Sequence, residues 1–428
     1  MTPVPDAVTD AVAGAHRREW ATVLAATVRV TRDLDLAEEC VQDAYAAALD
    51  AWTRGGVPAR PGAWLTTAAR HNALDALRRA GTLRSKLHLL VEPATADLGL
   101  PADPQLPADL GLPADPGVRD DRLRLVFLCC HPVLATEARV ALTLRLVCGV
   151  RTPDIAAAFL VSEPTMAARI TRAKKRIAAA RIAFRVPGRE ELPDRLGAVL
   201  TTIHLLFTTG HTAPAGPTLT RDDLAGRALD LARVLHDLMP GEREVRGLLA
   251  LLLAHHARRA TRTGAGGRLL PLEEQDRSAW DRGAIAEAHD LVVGALRGGA
   301  PGRFALQAAI AALHATAPAY AATDWPQILV LYDELLRVWP SPVVVLNRAV
   351  AVAMADGPAT ALAEVEALER DARLAGYRYL PAVKADLLRR LGRAADAAVA
   401  YERAIVLADN AAERAFLAAR LAGIRDGR

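Results

Sequence analysis

The chain has 428 residues and a formal net charge of +4, with 52% hydrophobic, 4% aromatic and 24% charged residues. That length predicts two to four domains, and the Ala/Leu/Val/Arg bias suits packed helices rather than strands, so an all-α fold is expected. The longest apolar runs, such as Gly247 to His255, fall short of the roughly 18 residues that cross a bilayer, the first twenty residues lack a signal-like apolar core, and four cysteines are too few for a disulfide scaffold. A cytoplasmic protein with reduced, buried thiols and no membrane association is the expectation.

Charge is informative by region. Residues 16–90 carry +3, 91–120 carry −5, 121–185 carry +8, and the chain beyond 185 is neutral. Arginines outnumber lysines 49 to 4, so only their clustering carries information.

Residues 16–90 predict two long helices broken at Thr53–Pro61, where two glycines and two prolines interrupt the pattern. The first, over 32–50, holds six acids and one base. Ala37, Val41, Tyr45, Ala48 and Trp52 form its inward stripe, so Glu38, Glu39, Gln42 and Asp43 are expected to project outward. Acids repel DNA, and this face suits a basic protein partner; the plainer alternative is a solvated surface helix. The next helix reverses the sign, and Trp64, Arg70, His71, Asn72, Arg78 and Arg79 combine aromatic, amide and cationic groups as single-stranded nucleic acid requires.

Residues 91–120 repeat LGLPADP at Leu98 and Leu110 and read as a Pro- and Asp-rich flexible linker. Thirty residues fully extended reach at most about 100 Å. Helical periodicity returns over 121–185. Within it, Thr152 to Arg181 reads as a short helix, a tight turn, a Ser162 cap with Pro164 behind it, and a second helix, which is helix-turn-helix spacing. Met166, Ile170, Ala173 and Ile177 face inward, leaving Thr165, Arg169, Arg172, Lys175 and Arg176 outward for base edges and phosphates.

The rest, 190–428, is helical with breaks at 211–217, 263–267 and 298–302. Ala349, Val352, Ala361, Val365 and Leu368 recur 36 residues later as Ala385, Leu388, Ala397, Tyr401 and Ala404, with Gly357 and Gly392 inside each pair. This period is close to the 34-residue tetratricopeptide pattern and places such repeats near 340–424. Phosphate-loop, nucleophile-elbow, zincin and dinucleotide fingerprints are lacking in the sequence, so no catalytic residue, cofactor or metal is assigned. Cys129, Cys130, His131 and Cys148 lack a zinc-knuckle spacing and read as core groups. Trp325, Tyr332 and Trp339 read as packing.

DLDLAEECVQDAYAAALDAW followed by PGAWLTTAARHNALDALRR resembles region 2 of the extracytoplasmic-function sigma factors, and PDIAAAFLVSEPTMAARITRAKKRI resembles their region 4. The wider chain, with QDRSAWDR at Gln275–Arg282, resembles the subgroup that carries a long, partly tetratricopeptide-like C-terminal extension. The resemblance implies that Asp35, Glu38, Glu39, Gln42 and Asp43 dock on core RNA polymerase. It implies that Arg60 and the Trp64–Arg79 helix open the −10 element, and that Thr165 to Arg176 read the −35 element of promoter DNA. It further implies that 190–428 modulates the protein itself, leaving that extension a protein or small-molecule partner of its own. Leu160 stands where many relatives have the turn glycine and Ala167 where a lysine often sits, so no −35 sequence follows. A one-component helix-turn-helix regulator with a sensing domain is the alternative; such a regulator has no need of the acidic helix.

Overall fold

A computed structural model describes residues 6–87, 121–159, 161–213 and 215–426. The expected linker over 91–120 and the turn position Leu160 lie outside the described residues. The fold is all-α, with no strand among the described residues, and it divides into two compact units, Met1–Val199 and Leu200–Arg428.

The first unit opens with three long helices where the sequence pattern predicted two: α1 (Asp6–Thr31), α2 (Leu34–Gly55) and α3 (Pro61–Leu87). The unpredicted break contains neither Gly nor Pro. It is made by Arg32 in the left-handed region, φ 52°, and by Asp33, whose Oδ1 accepts from the N–H groups of Asp35 and Leu36 at 2.8 and 2.9 Å. Gly56, at φ 79°, closes α2 by donating to the Trp52 carbonyl at 3.0 Å, and Pro61 opens α3 where a helix needs no N–H. Trp20, Val23 and Leu24 of α1, Val41, Tyr45 and Trp52 of α2, and Leu65 and Ala69 of α3 are buried. Each large apolar side chain so buried contributes about 1.5–3 kcal/mol.

Four shorter helices follow: α4 (Asp121–Cys129), α5 (Thr136–Leu146), α6 (Thr152–Ala158) and α7 (Glu163–Ala179). Ser162 caps α7, its Oγ accepting from Thr165 N–H at 3.4 Å, and Met166, Ile170, Ala173 and Ile177 are buried as the spacing predicts. Cys40, Cys129 and Cys130 are buried and Cys148 half-buried, none in a disulfide.

The second unit pairs helices in sequence. It contains the end of α8 (Leu192–His211), then α9 (Asp222–Leu238), α10 (Arg243–His256), α11 (Arg282–Leu296), α12 (Arg303–Thr316), α13 (Trp325–Val338), α14 (Pro342–Ala355), α15 (Pro358–Leu368), α16 (Tyr379–Arg390), α17 (Ala394–Leu407) and α18 (Ala411–Arg425). The ten repeat positions, from Ala349 to Ala404, all fall in one buried cluster shared by α14 to α17, and Gly357 and Gly392 turn at φ 94° and 75°. Gly247 allows α10 to meet α12: a Cβ there would lie 2.6 Å from the Ala305 nitrogen.

Arginines terminate helices in this unit. Arg277 donates to the carbonyls of His314 and Ala317 at 2.7 and 2.8 Å, at the end of α12. Arg262 reaches His211 O and Thr212 Oγ1 at the end of α8, and Arg390 donates to Ala353 O at 2.9 Å near the end of α14. Each guanidinium satisfies orphan carbonyls and the negative end of a helix dipole together. Trp325, Tyr332 and Trp339 pack on a cluster built around Leu306, Ile310, Ile328 and Leu335.

Candidate polymerase-binding and promoter-binding surfaces

On α2 the inward stripe leaves Glu39, Gln42 and Asp43 exposed, as its periodicity predicts, and Asp35, which the family resemblance adds to that face, is exposed as well. Glu38 does not project outward: its side chain is 7% exposed, which corrects the expectation from spacing. Lys174 Nζ lies 2.7 Å from Glu38 Oε2 and 2.7 Å from Asp35 Oδ1, Arg145 Nη2 pairs with Glu38 Oε1, and Gln42 Nε2 donates to that same oxygen at 3.3 Å. The physical reason is tertiary. A carboxylate on the edge of an apolar stripe is drawn inward when two cations from α5 and α7 meet it there.

Lys174 is only 9% exposed at its side chain. Burial opposes its charge, but the hydrogen bonds and charges of Asp35 and Glu38 outweigh that and raise its pKa above the ordinary lysine value. Neither Lys174 nor Arg145 was singled out from the sequence. The available signal was a lysine four residues after Ile170, on the inward stripe of an otherwise conventional amphipathic helix.

The nucleic-acid candidates of the first block divide. Arg60, Arg70, His71, Arg78 and Arg79 are exposed, with Arg78 paired to Asp75 at 3.1 Å. Trp64 is half-buried, edge-on to Trp52 with ring centroids 5.8 Å apart. Asn72 turns inward and donates to the Cys40 carbonyl at 3.1 Å, tying α3 to α2. On α7, Thr165, Arg172, Lys175 and Arg176 are exposed and Arg169 is half-buried, so the predicted stripe stands together on one face. A cleft of about 690 Å³ lies where α1, α2 and α7 approach, lined by Arg29, Arg32, Asp35, Lys174, Lys175 and Arg181 among others. Among the described residues, no group of three or more His, Cys, Asp or Glu side chains is arranged to hold a metal, and no helix is long and apolar enough to cross a membrane.

Sigma-70 region 2 matches residues 16–82, Sigma-70 region 4 matches residues 124–177, and a family of unknown function (DUF6596) matches residues 195–296. An uncharacterized protein of Rhizobium meliloti (strain 1021) is 44% identical over 398 residues, covering 93% of this chain and 92% of that protein. No solved structure matches. Region 2 coincides with the α1–α3 bundle and region 4 with α4–α7, in the order that the acidic and basic helices require. The chain therefore belongs to the extracytoplasmic-function-type sigma factors, with regions 2 and 4 followed by a C-terminal helical extension.

Proposed function

We propose that the chain binds core RNA polymerase through the exposed acids of α2 and directs promoter-specific initiation. Asp35, Glu39, Gln42 and Asp43 form the docking face, and Glu38 joins it when its present partners release it. Arg60, Arg70, His71, Arg78 and Arg79 hold the displaced strand at the −10 element, with Trp64 offering an aromatic edge; aromatic stacking and phosphate contacts offset the few kcal/mol that unstacking a base costs. Thr165, Arg169, Arg172, Lys175 and Arg176 address the −35 element, the N-terminal positions meeting bases and the later cations phosphates. Asn72 acts as a strut between α2 and α3 rather than as a DNA contact.

The observation that carries this reading is the opposition of charge on two exposed helix faces, acids on α2 and cations on α7, within a chain that matches regions 2 and 4. Run-off transcription with purified core polymerase across genomic DNA tests it. Discrete starts dependent on the added chain are expected, and their absence with active core enzyme refutes it.

The extension gates promoter use. Arg195 Nη2 donates to Phe127 O at 2.9 Å, so a truncation that leaves the first unit intact retains residues through 199. That truncated chain is expected to differ from the full chain in initiation rate or promoter choice; equal behaviour removes the gating role.

A further inference from the structure

Helices α1 and α7 end in the same unusual way. Among the described residues, Arg32 at φ 52° and Arg181 at φ 48° are the two non-glycine residues in the left-handed region, and each stands just past a helix end. Arg32 N–H donates to Val28 O at 2.8 Å. Arg181 N–H donates to Ala178 O at 3.0 Å, and Ile182 N–H to Ile177 O at 3.3 Å. Glycine is the usual residue in such closing turns, because a Cβ there crowds the following carbonyl oxygen. The helix ends do not account for arginine: glycine closes the turn with less strain, and the negative ends of the two helix dipoles already have Arg29 and Arg176 in their last turns.

Both arginines line the cleft of about 690 Å³ bounded by α1, α2 and α7, and Lys175, exposed on α7, lines it with them. None of these three cations has an acidic partner among the described residues. The other charges of the lining are engaged. Arg29 lies 3.4 Å from Asp121, Lys174 bridges Asp35 and Glu38, and Asp33 Oδ1 accepts from the backbone at the start of α2. Val28, Leu128, Ile177 and Phe184 place apolar surface beside the cations. Backbone strain retained where the turn itself does not need it marks a side chain kept for a ligand.

We propose that this cleft binds a nucleoside polyphosphate, with Arg32, Lys175 and Arg181 on the phosphates and the base against Phe184 and its apolar neighbours. Three uncompensated cations match the charge of a di- or triphosphate chain, and a guanidinium fork grips phosphate oxygens in pairs. The volume falls within the roughly 300–1,000 Å³ of small-molecule sites. Inorganic phosphate would meet the cations but leave the apolar wall in water. The site goes beyond the function proposed above and does not depend on it, although Lys175 belongs to both surfaces.

Isothermal titration of the full chain with ATP, GTP, tripolyphosphate and adenosine tests the site, alongside thermal unfolding of the first unit. ATP or GTP is expected to saturate a single site about tenfold more tightly than tripolyphosphate or adenosine, as contact with the base requires. Arg32→Gly and Arg181→Gly each remove a guanidinium and relieve a left-handed backbone. Each is therefore expected to weaken nucleotide binding about tenfold while raising the Tm of the first unit by about 2–4 °C. Lys175→Gln, at an exposed helical position, is expected to weaken binding about tenfold with Tm unchanged. Absence of nucleotide binding, or equal affinity in all three variants, overturns the proposal. Weaker binding with a lower Tm in both glycine variants overturns it too, since the arginines would then serve the fold. Tripolyphosphate binding as tightly as ATP overturns the assignment of a nucleoside.

Discussion

Replacing Asn410 tests how the end of the extension is held. This side chain is fully buried and makes four hydrogen bonds. Its Oδ1 accepts from the N–H groups of Ala412 and Glu413 at 2.9 and 3.2 Å, capping α18, and its Nδ2 donates to the carbonyls of Ala213 and Thr218 at 3.1 and 2.8 Å. The adjoining backbone follows, with Ala411 N–H bonded to Gly216 O at 2.9 Å. Loss of an N-cap costs about 1 kcal/mol. Leaving two carbonyls without their donor costs about 1–3 kcal/mol if both are fully buried, and less for Thr218, which is closer to solvent. Asn410→Ala therefore destabilises the second unit by about 3 kcal/mol, or roughly 6–12 °C in Tm for a unit of this size. Asn410→Ser retains a capping oxygen without the amide and is expected to recover only about 1 kcal/mol. Calorimetry of the full chain measures the shift, with hydrogen exchange in α18 assigning the transition to the second unit. A Tm change below 2 °C for Asn410→Ala, or full recovery in Asn410→Ser, would refute the idea that the amide ties the 213–218 loop to α18.

Three further outcomes follow from the same geometry. Asn72→Ala is expected to destabilise the first unit by about 1 kcal/mol through the lost bond to Cys40 O, whereas Arg70→Ala, at an exposed position, leaves urea unfolding unchanged within about 0.5 kcal/mol and slows open-complex formation. Substituting Arg172, Lys175 or Arg176 by Ala should each reduce the slope of log affinity for −35 duplex against log salt by about 1, as loss of one phosphate contact requires. The second unit should be acid-sensitive: burial, aided by Arg303 beside His204 and by Arg258 and Arg277 beside His314, lowers both histidines from 6.5 to about 4. Their folded pKa lies below the unfolded one, so the unfolded chain binds the extra protons. The stabilising contribution is complete above pH 6.5 and is lost as pH falls toward 4, by at most about 2 kcal/mol per histidine between pH 6.5 and 5. A urea midpoint of the second unit that is the same at pH 7 and pH 5 would contradict this.

Periodicity revealed what local rules determine. The outward stripe of α7, the inward stripe of α2 and the ten repeat positions of α14 to α17 obey a spacing that one helix face imposes, and the structure places them accordingly. The start of α2 was missed because its break relies on an aspartate cap and a left-handed arginine rather than on Gly or Pro. Glu38 was misplaced for a different reason. Whether a carboxylate at the margin of an apolar stripe faces water depends on cations more than 100 residues away, and no local pattern encodes that. The arginines that end α8, α12 and α14 were illegible likewise, since their partners are backbone carbonyls supplied by distant segments.

The placement of Lys174 among Arg172, Lys175 and Arg176 separates two inheritances on a single helix. Substitutions along the solvent stripe therefore leave the buried tie between α7 and α2 in place, so the charge of one flank and the packing of the other can vary independently.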